Sequence, residues 1–405
     1  MVRRLTLDFL KTETASGGIL VLAAIAALLV ANSPWSAEYF AWLKSTYAVQ
    51  VGPFRVEDSI TGWIKDGLMA VFFLVVGLEI KHEILRGELS DPRKLATPIL
   101  AALGGMVGPA LVYFVVAGMI GAPHGAWPVP LATDIAFALA VFALVGKGLP
   151  PSLRIFLLTL AIVDDLGAIL LIAVLFSGGA HWPSLGAAAA LLAAIGLVAH
   201  RVRLPSSVWV IGFAAIWYLT FQSSLSTSLT AVAFAVIVPI KARKENHQSP
   251  LKEAMHELHP YNAFLILPLF AFTKAGVSFA GMTMAQVFAP LAVAVAMGLF
   301  FGKQIGVFGA AWIAQKCKIG ERPTDASWRQ VYGVALLCGV GFTMSLFIGA
   351  LAIPGAIDSP QQVEIKLGVI GGSVLSALAG ALVLRGASGP RAIKESVAGG
   401  SKAPA

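Results

Sequence analysis

Apolar stretches long enough to cross a lipid bilayer follow one another along almost the whole chain. A helix rises about 1.5 Å per residue, so about 20 mostly apolar residues span the hydrocarbon. Of the 405 residues, 58% are hydrophobic and only 12% are charged, whereas soluble domains carry roughly 25% charged residues. A chain of this composition cannot cover its apolar surface in water, so we expect it to fold in a membrane.

The stretches are continuously apolar and do not alternate with polar residues, which favours helices over a closed barrel. The sequence therefore predicts an all-α integral membrane protein of about 12 helices. We assign residues 1–385 to one transmembrane domain and 386–405, rich in Gly, Ser, Ala and Pro, to a disordered cytoplasmic tail. The spans are predicted near residues 15–32, 63–80, 95–118, 128–146, 154–176, 182–200, 206–221, 225–240, 260–280, 286–314, 330–352 and 366–385.

The formal net charge of +8 raises the question of whether the chain binds nucleic acid. The basic residues concentrate in alternate loops, as the positive-inside rule requires of a membrane protein with both termini in the cytoplasm. We therefore expect no nucleic-acid partner. Lys274, near the outer end of a span, is expected to extend to the membrane surface. The outer segments carry only Lys44, Arg55, Lys65 and Lys366.

The longest outer loop contains two short runs with high strand propensity, in residues 47–56, on either side of Gly52 and Pro53. This pattern predicts a β-hairpin. An isolated hairpin is only marginally stable, so the predicted one requires a partner surface.

Four charged residues fall deep inside apolar stretches: Asp134, Asp164, Asp165 and Lys303. A charge at the bilayer centre costs about 2.5 to 3.5 kcal/mol on insertion scales. Adjacent residues of a helix point about 100° apart, so Asp164 and Asp165 need not face the same group. We predict that Lys303 neutralises one aspartate while the other is left for a transported cation.

The oxygen-rich chemistry of this set suits a hard cation such as sodium. Carboxylates, the Thr133 hydroxyl and free backbone carbonyls are ligands that such ions prefer. Protons compete for the same oxygens, because burial favours a protonated carboxyl and a bound cation favours the carboxylate. The sequence thus predicts exchange of sodium for protons at Asp164 and Asp165, with no cofactor.

Two of the predicted spans carry residues that interrupt helices. Pro128 and Pro130 precede Asp134 in the fourth span, and Gly339 and Gly341 lie near the middle of the eleventh. Interrupted helices in corresponding halves of a transporter indicate a binding site. Asp134 opposite N-terminal helix ends and Lys303 near C-terminal ends would balance the partial charges of a crossed pair. Asp134 also fits a simple helix N-cap.

Other functions can explain buried acids. A proton-coupled symporter of an organic solute is the main alternative, although no intramembrane arginine is present to bind a carboxylate substrate. An intramembrane aspartyl protease would need a Gly-x-Gly-Asp context, which the sequence lacks. A structural scaffold could keep the lysine and aspartate as a fixed ion pair that joins helices five and ten.

Several motifs resemble the NhaA-type sodium/proton antiporters. The three most specific are Ala132-Thr-Asp-Ile-Ala-Phe-Ala-Leu139, Ala161-Ile-Val-Asp-Asp-Leu-Gly-Ala168 and Gly341-Phe-Thr-Met-Ser-Leu-Phe347. The resemblance extends from about residue 15 to about residue 385, nearly the whole chain. It implies a secondary active transporter and not an enzyme.

The resemblance implies roles for the buried charges. Asp164 and Asp165 would carry sodium or lithium ions and protons, with Thr133 beside them. Lys303 would be the partner of Asp164, and Thr133 and Asp134 would lie where discontinuous helices four and eleven cross.

The resemblance also implies a set of residues that tune the response to pH. His82 replaces the usual arginine, Met255 a usual acid, and Ser226 stands where a histidine can occur, so the pH response need not match that of the family. His256 and His259 also fit ordinary solvated histidines of a charged loop. The matched positions are Glu79, Lys81, Glu83, His256 and His259.

The remaining implications concern architecture and physiology. The resemblance implies inverted-topology repeats formed by helices three to five and ten to twelve, and a cytoplasmic funnel. It further implies electrogenic exchange that uses the proton gradient to export sodium, for pH and sodium homeostasis, across a bacterial inner membrane. The partners would be membrane lipid and a second copy of the chain, joined through the outer hairpin.

Overall fold

The computed structural model describes residues 2–87, 92–146, 148–175, 181–202, 204–240 and 249–387. This part of the chain is mostly helical, with one small sheet. The expectation of a largely helical protein is therefore confirmed. Its first elements are α1 (Val2–Ala31), α2 (Ser36–Lys44), β1 (Thr46–Val51), β2 (Phe54–Ser59), α3 (Ile60–Gly62), α4 (Met69–Arg86), α5 (Pro92–Ile120), α6 (Ile135–Val145), α7 (Pro151–Leu175) and α8 (Trp182–Arg201).

Several helices in both halves of the chain join through short irregular turns. Wider π-helical turns cover Trp63–Leu68, Asn262–Ile266 and Gly298–Gly302, and 3-10 turns cover His124–Ala126 and Val129–Leu131. The remaining helices are α9 (Ser206–Gln222), α10 (Thr227–Ile237), α11 (Pro250–Tyr261), α12 (Leu267–Lys274), α13 (Met284–Val287), α14 (Pro290–Met297), α15 (Lys303–Lys316), α16 (Trp328–Leu337), α17 (Phe342–Ala352) and α18 (Pro360–Ala387).

Within the described residues, five helical stretches are long and apolar enough to cross a membrane alone, and up to eight if each of three bent pairs counts as one span. Two of these pairs are the predicted interrupted helices. The segments 124–131 and 135–145 meet at 44°, and α16 and α17 meet at 46°. The chain is thus a multi-pass membrane protein, while the count of twelve spans stays a prediction.

The predicted outer hairpin corresponds to a two-stranded antiparallel sheet. β1 pairs with β2, with Val51 opposite Phe54, and Gly52 between them has a positive φ of 61°. The Trp63 indole donates a hydrogen bond to the Tyr47 carbonyl, and the Phe54 ring meets Tyr218 of α9 edge-on at 5.3 Å. The sheet is therefore attached to the helices at both of its ends.

Helices α5 and α15 pack backbone against backbone through paired glycines. A Cβ atom on Gly306 would lie 2.0 Å from the Gly104 carbonyl oxygen, and one on Gly108 would lie 2.5 Å from that of Gly302. Small residues spaced four apart are the usual means by which membrane helices approach closely. Lys303 lies between Gly302 and Gly306 in the sequence, so the close contact of these glycines with α5 brings Lys303 into the interior.

One prediction about a lysine was wrong: Lys274, expected to extend to the membrane surface, is only 9% exposed. Lys366, which the sequence assigns to an outer segment, is 2% exposed, and its ammonium donates to the carbonyls of Gly276 and Ile357. Lys366 thus joins the segment after α12 to the loop before α18.

The predicted disordered tail, 386–405, lies outside the described residues except for its first two. Gly386 and Ala387 end α18, so the helix continues two residues beyond the predicted boundary.

Candidate functional site

Asp164 and Lys303 form a buried ion pair between the fifth and tenth predicted spans. Asp164 lies near the middle of α7, and Lys303 is the first residue of α15. Lys303 Nζ lies 2.7 Å from Asp164 Oδ2, and both side chains are 0% exposed. A desolvated pair of this kind is stable only while both charges are present.

The same carboxylate oxygen accepts a second hydrogen bond. The backbone N–H of Thr133 donates to Asp164 Oδ2 at 2.9 Å. This donor is free because Thr133 lies in the non-helical stretch between the 3-10 turn Val129–Leu131 and α6, where the chain is extended at Ala132. The broken fourth span thus contributes directly to the surroundings of Asp164.

Asp165 lies beside this pair and is only 1% exposed. Its Oδ1 atom and the Oδ1 atom of Asp164 are both buried without a hydrogen-bond partner within the described structure. Buried carboxylate oxygens ordinarily have partners, so each exception requires an explanation. Two such oxygens on adjacent residues can accept a proton or a small cation.

Asp134 joins the two interrupted helices at their N-terminal ends. Its Oδ1 accepts from the backbone N–H of Phe137, in the first turn of α6, at 3.0 Å. Its Oδ2 accepts from the backbone N–H and the hydroxyl of Thr343, in the first turn of α17, at 3.0 and 2.5 Å. One carboxylate therefore faces the partial positive charges of both helix ends. Asp134 is thus the N-cap of α6, while its role in balancing the charges of a crossed helix pair stays a prediction.

Two further hydrogen bonds tie the breaks together. The Thr133 hydroxyl donates to the carbonyl of Cys338, and the Asp134 backbone N–H donates to the carbonyl of Val340. Both carbonyls follow α16, where a continuous helix would have used them. The two non-helical segments therefore satisfy each other's backbone groups inside the protein, as lipid surroundings require. The predicted closeness of Lys303 to C-terminal helix ends stays a prediction.

Helix α17 is also held by Ser373 of α18. The Ser373 hydroxyl accepts from the backbone N–H groups of Gly341 and Phe342, each at 3.2 Å. Sequence reasoning missed this residue and assigned no role to Thr343. A serine or threonine in an apolar span is a weak signal, since it can also bond to its own helix.

The predicted pH-response residues lie near the C-terminal end of α4 and on α11. Glu79 Oε1 lies 3.6 Å from His259 Nδ1, and Glu83 Oε1 lies 3.7 Å from His82 Nδ1. At these distances the two contacts are ion pairs only when the histidines are protonated. The structure thus brings Glu79 and His259 together across two helices.

The other members of this set are placed differently. The Lys81 ammonium donates to the carbonyls of Val236 and Val238 and so caps the C-terminal end of α10. His256 is exposed. Met255 is half-buried against the apolar interior, and Ser226 precedes α10 with its hydroxyl 3.1 Å from that of Ser228.

Clusters of three or more His, Cys, Asp or Glu side chains that could hold a metal ion are absent from the described ranges. The groups available to a cation at Asp164 and Asp165 are instead two carboxylates and neutral oxygens.

Comparison with known proteins places this arrangement in a family. The family model for Na+/H+ antiporter 1 matches residues 7–384. The Na(+)/H(+) antiporter NhaA 2 of Novosphingobium aromaticivorans is 47% identical over 384 residues, which cover 94% of this chain and 96% of that protein. The Na(+)/H(+) antiporter NhaA of Bordetella parapertussis is 46% identical over 93% of this chain and 95% of its own. The NhaA 1 protein of Pseudomonas putida is 43% identical over 96% and 97%.

The family model matches nearly the whole chain, and the relatives share 43 to 47% of their residues with it over the same length. This similarity is higher than proteins that share only a fold usually have. The resemblance seen in the sequence motifs is therefore confirmed. The chain belongs to the Na+/H+ antiporter family, and it is a secondary transporter and not an enzyme.

Proposed function

We propose that this protein is an electrogenic antiporter that uses the proton gradient to export sodium or lithium, for pH and sodium homeostasis. Asp164 and Asp165 bind the cation and the protons in turn, with Thr133 beside them. The observation that carries the proposal is the buried pair of Lys303 and Asp164, next to two carboxylate oxygens without partners. A purely structural ion pair would not require Asp165.

Exchange follows from competition for the same oxygens. When protons leave Asp164 and Asp165, sodium binds between the two carboxylates and displaces the Lys303 ammonium from Asp164. When protons return to the two carboxylates, sodium is released. Lys303 pairs with Asp164 again only when that carboxylate has lost its proton and holds no sodium. Two carboxylates can take up more than one proton for each sodium ion released, so the cycle moves net charge and the membrane potential drives it.

The surrounding charges act as compensation and coupling groups. Asp134 neutralises the N-terminal ends of α6 and α17 and holds the crossing of the fourth and eleventh spans together. Lys303 compensates Asp164 in the empty, deprotonated site. The inverted repeats, the cytoplasmic funnel, the single transmembrane domain over residues 1–385 and the location in a bacterial inner membrane with cytoplasmic termini complete the proposal.

The test is transport by the purified protein in lipid vesicles. A pH gradient is imposed, sodium, lithium or potassium is added, and internal pH is followed between about pH 6.5 and about pH 9. Sodium and lithium should collapse the gradient for the wild type, and Asp164→Asn and Asp165→Asn should abolish the effect. Asp358→Asn, which alters an exposed surface carboxylate, is the matched control and should transport normally.

Two outcomes would contradict the proposal. A gradient that no cation collapses at any pH would exclude cation exchange, and addition of organic solutes would then test the symporter. A response that an imposed membrane potential does not change would exclude electrogenic exchange.

The pH response is proposed to arise where α4 meets α11. Histidine changes its charge within the physiological pH range, so the attraction between His259 and Glu79 is present at acid pH and weakens at alkaline pH. Glu83, Lys81 and His256 are further members of the proposed regulatory set. His259→Gln should change the shape of the pH profile of transport more than His256→Gln, because His256 is exposed. Equal profiles for the two variants would contradict this assignment.

A homodimer joined through the outer hairpin is also proposed. The two-stranded sheet leaves its outer edges open, and Tyr47, Val49 and Phe54 are each more than half exposed. An open strand edge with apolar side chains is suited to pairing with another chain. Replacing residues 47–57 by a flexible Gly-Ser linker should convert a dimer into a monomer in light-scattering measurements. A dimer that survives the replacement would place the interface elsewhere.

A further inference from the structure

Lys303 follows directly on a π-helical turn, Gly298–Gly302, in the tenth predicted span. Such a turn contains one residue more than an α-helical turn and is frequent at functional sites. Successive residues point about 100° apart, so the extra residue changes the direction in which the next side chain leaves the helix. The direction of Lys303 therefore depends on whether this turn keeps its widened form.

The side chain next to Lys303 holds this turn. Gln304 is 7% exposed, and its amide N–H donates to the carbonyl of Phe300, inside the π-helical turn, at 2.8 Å. A side-chain donor thus binds a carbonyl of the widened turn directly. Removing it would leave the partly buried carbonyl of Phe300 without this donor, which favours a turn geometry that supplies another one.

The other end of the Gln304 amide is fixed by the first half of the broken eleventh span. The Tyr332 hydroxyl, on α16, donates to Gln304 Oε1 at 2.5 Å. The Tyr332 ring meets Phe308 of α15 edge-on at 5.4 Å. Tyr332, Gln304 and the Phe300 carbonyl therefore form one hydrogen-bonded chain from α16 to the turn that precedes Lys303.

On its opposite side, the same segment is fixed by α5. Gly302 packs against Pro109, and Gly306 packs against Gly104, at distances that leave no room for a side chain. The helix therefore cannot translate freely, and the remaining freedom is the internal geometry of the turn. The titratable groups that interact with Lys303 are Asp164 and Asp165 on α7 and Cys338 after α16, and Asp134 and Glu79 act in turn on Asp165.

We propose that Gln304 is a positioning residue for ion exchange: its amide, held by Tyr332, keeps the turn before Lys303 in the form that places the ammonium on Asp164. The strength of the ion pair between Lys303 and Asp164 is thereby set by a neutral side chain. This inference rests on the proposed function, because it concerns the competition of sodium and protons with Lys303.

The direction of the effect follows from that competition. If the ammonium is held less firmly, every cation that competes with it gains access to Asp164. Gln304→Met, which removes both hydrogen bonds but keeps the side-chain length, should lower the apparent KM for sodium at alkaline pH about threefold. It should also move the acid limb of the pH profile upwards, since protons gain by the same relief. General damage to the fold would instead raise KM or lower the maximal rate.

The matched control is Gln362→Met. Gln362 is also 7% exposed, and its amide donates to the carbonyls of Gly349 and Ile353, away from Lys303. Its replacement should leave KM and the pH profile unchanged. Tyr332→Phe removes only the hydroxyl that holds Gln304 and should shift KM in the same direction as Gln304→Met, but less.

Transport in vesicles, measured as initial rates against sodium concentration at several pH values, decides the matter. A lowered KM and a shifted acid limb in Gln304→Met, with unchanged values in Gln362→Met, support the inference. A Gln304→Met protein with the wild-type KM and pH profile would overturn it, as would equal shifts in both variants. If the wild type itself shows no sodium-dependent exchange, the proposed function fails instead, so the two failures are distinguishable.

Discussion

The Nζ atom of Lys303 lies 2.7 Å from Oδ2 of Asp164, and neither side chain is exposed to solvent. Because two charges removed from water are stabilised chiefly by each other, the loss of one partner leaves the other without compensation. In the proposed exchange cycle, sodium or a proton at Asp164 takes over that compensation from the ammonium. The pair therefore links the stability of the protein to the occupancy of the site.

Removing only one member of this pair should destabilise the protein. Lys303→Met leaves a buried carboxylate opposite a methyl group and should cost about 3 to 5 kcal/mol of stability. The double variant Lys303→Met with Asp164→Asn removes both charges and should recover most of that loss, without recovering transport. Thermal unfolding in detergent, followed by size-exclusion chromatography, measures the difference. A double variant no more stable than Lys303→Met would contradict the pairing.

The hydroxyl of Thr343 should contribute to both the stability of the protein and its transport rate, because it bonds to the buried carboxylate of Asp134. Thr343→Val keeps the side-chain shape but removes the 2.5 Å hydrogen bond to Asp134, and loss of a bond to a charged group costs about 1.5 to 3 kcal/mol. The control is Thr273→Val, because Thr273 is also fully buried but bonds only to carbonyls of its own helix. Thr343→Val should lower both thermal stability and the transport rate. Equal stability losses in the two valine variants would show that Asp134 adds nothing.

The residues predicted from the sequence and those missed differ in energetic cost. Asp134, Asp164 and Lys303 could be found because a charge deep in an apolar stretch is expensive and requires a partner. Gln304 and Tyr332 are neutral, cost little, and acquire their arrangement only from the meeting of α15 and α16. Sequence spacing does not report such a contact.

The same limit explains two other differences. The sequence assigned Lys366 only to an outer segment, and its burial against the carbonyls of Gly276 and Ile357 depends on tertiary packing. The break at Pro128 and Pro130 was readable because proline removes a backbone donor. That the break would bond to Val340 of another span was not, because only tertiary packing pairs the two segments.

The exposed pair of Lys44 and Asp358 gives a small pH-dependent contribution to stability. The hydrogen bond from Lys44 holds the pKa of Asp358 below its usual value. The contribution is therefore present above the carboxyl's unfolded pKa of about 3.9 and is lost as the pH falls through the folded value. Both side chains are more than 40% exposed, so solvent limits it to about 1 kcal/mol or less.

Lys44→Gln should accordingly lower the melting temperature slightly at neutral pH, and the difference from the wild type should vanish once the pH is low enough to protonate Asp358 in the folded protein. Arg55→Gln is the control, because Arg55 pairs with Glu57 in the same strand and connects no separate elements. Melting curves at the two pH values measure both variants. A deficit of Lys44→Gln that persists in acid would assign the loss to packing and not to charge.

The glycine contact between α5 and α15 should be the least tolerant part of the fold. A methyl group on Gly306 would lie 2.0 Å from the Gly104 carbonyl oxygen, and backbone atoms cannot move aside as a flexible side chain can. Gly306→Ala should therefore cost at least about 1 to 3 kcal/mol of stability. It should also reduce transport, because the displaced helix carries Lys303.

The control is Gly309→Ala, one turn further along α15. The added methyl group meets open space there, so the variant should be neutral or slightly more stable, since alanine has a higher helix propensity than glycine. Melting temperature and sodium-dependent exchange, measured for both variants in parallel, test the contact. A Gly306→Ala protein as stable and active as Gly309→Ala would mean that α5 and α15 do not approach this closely in the membrane.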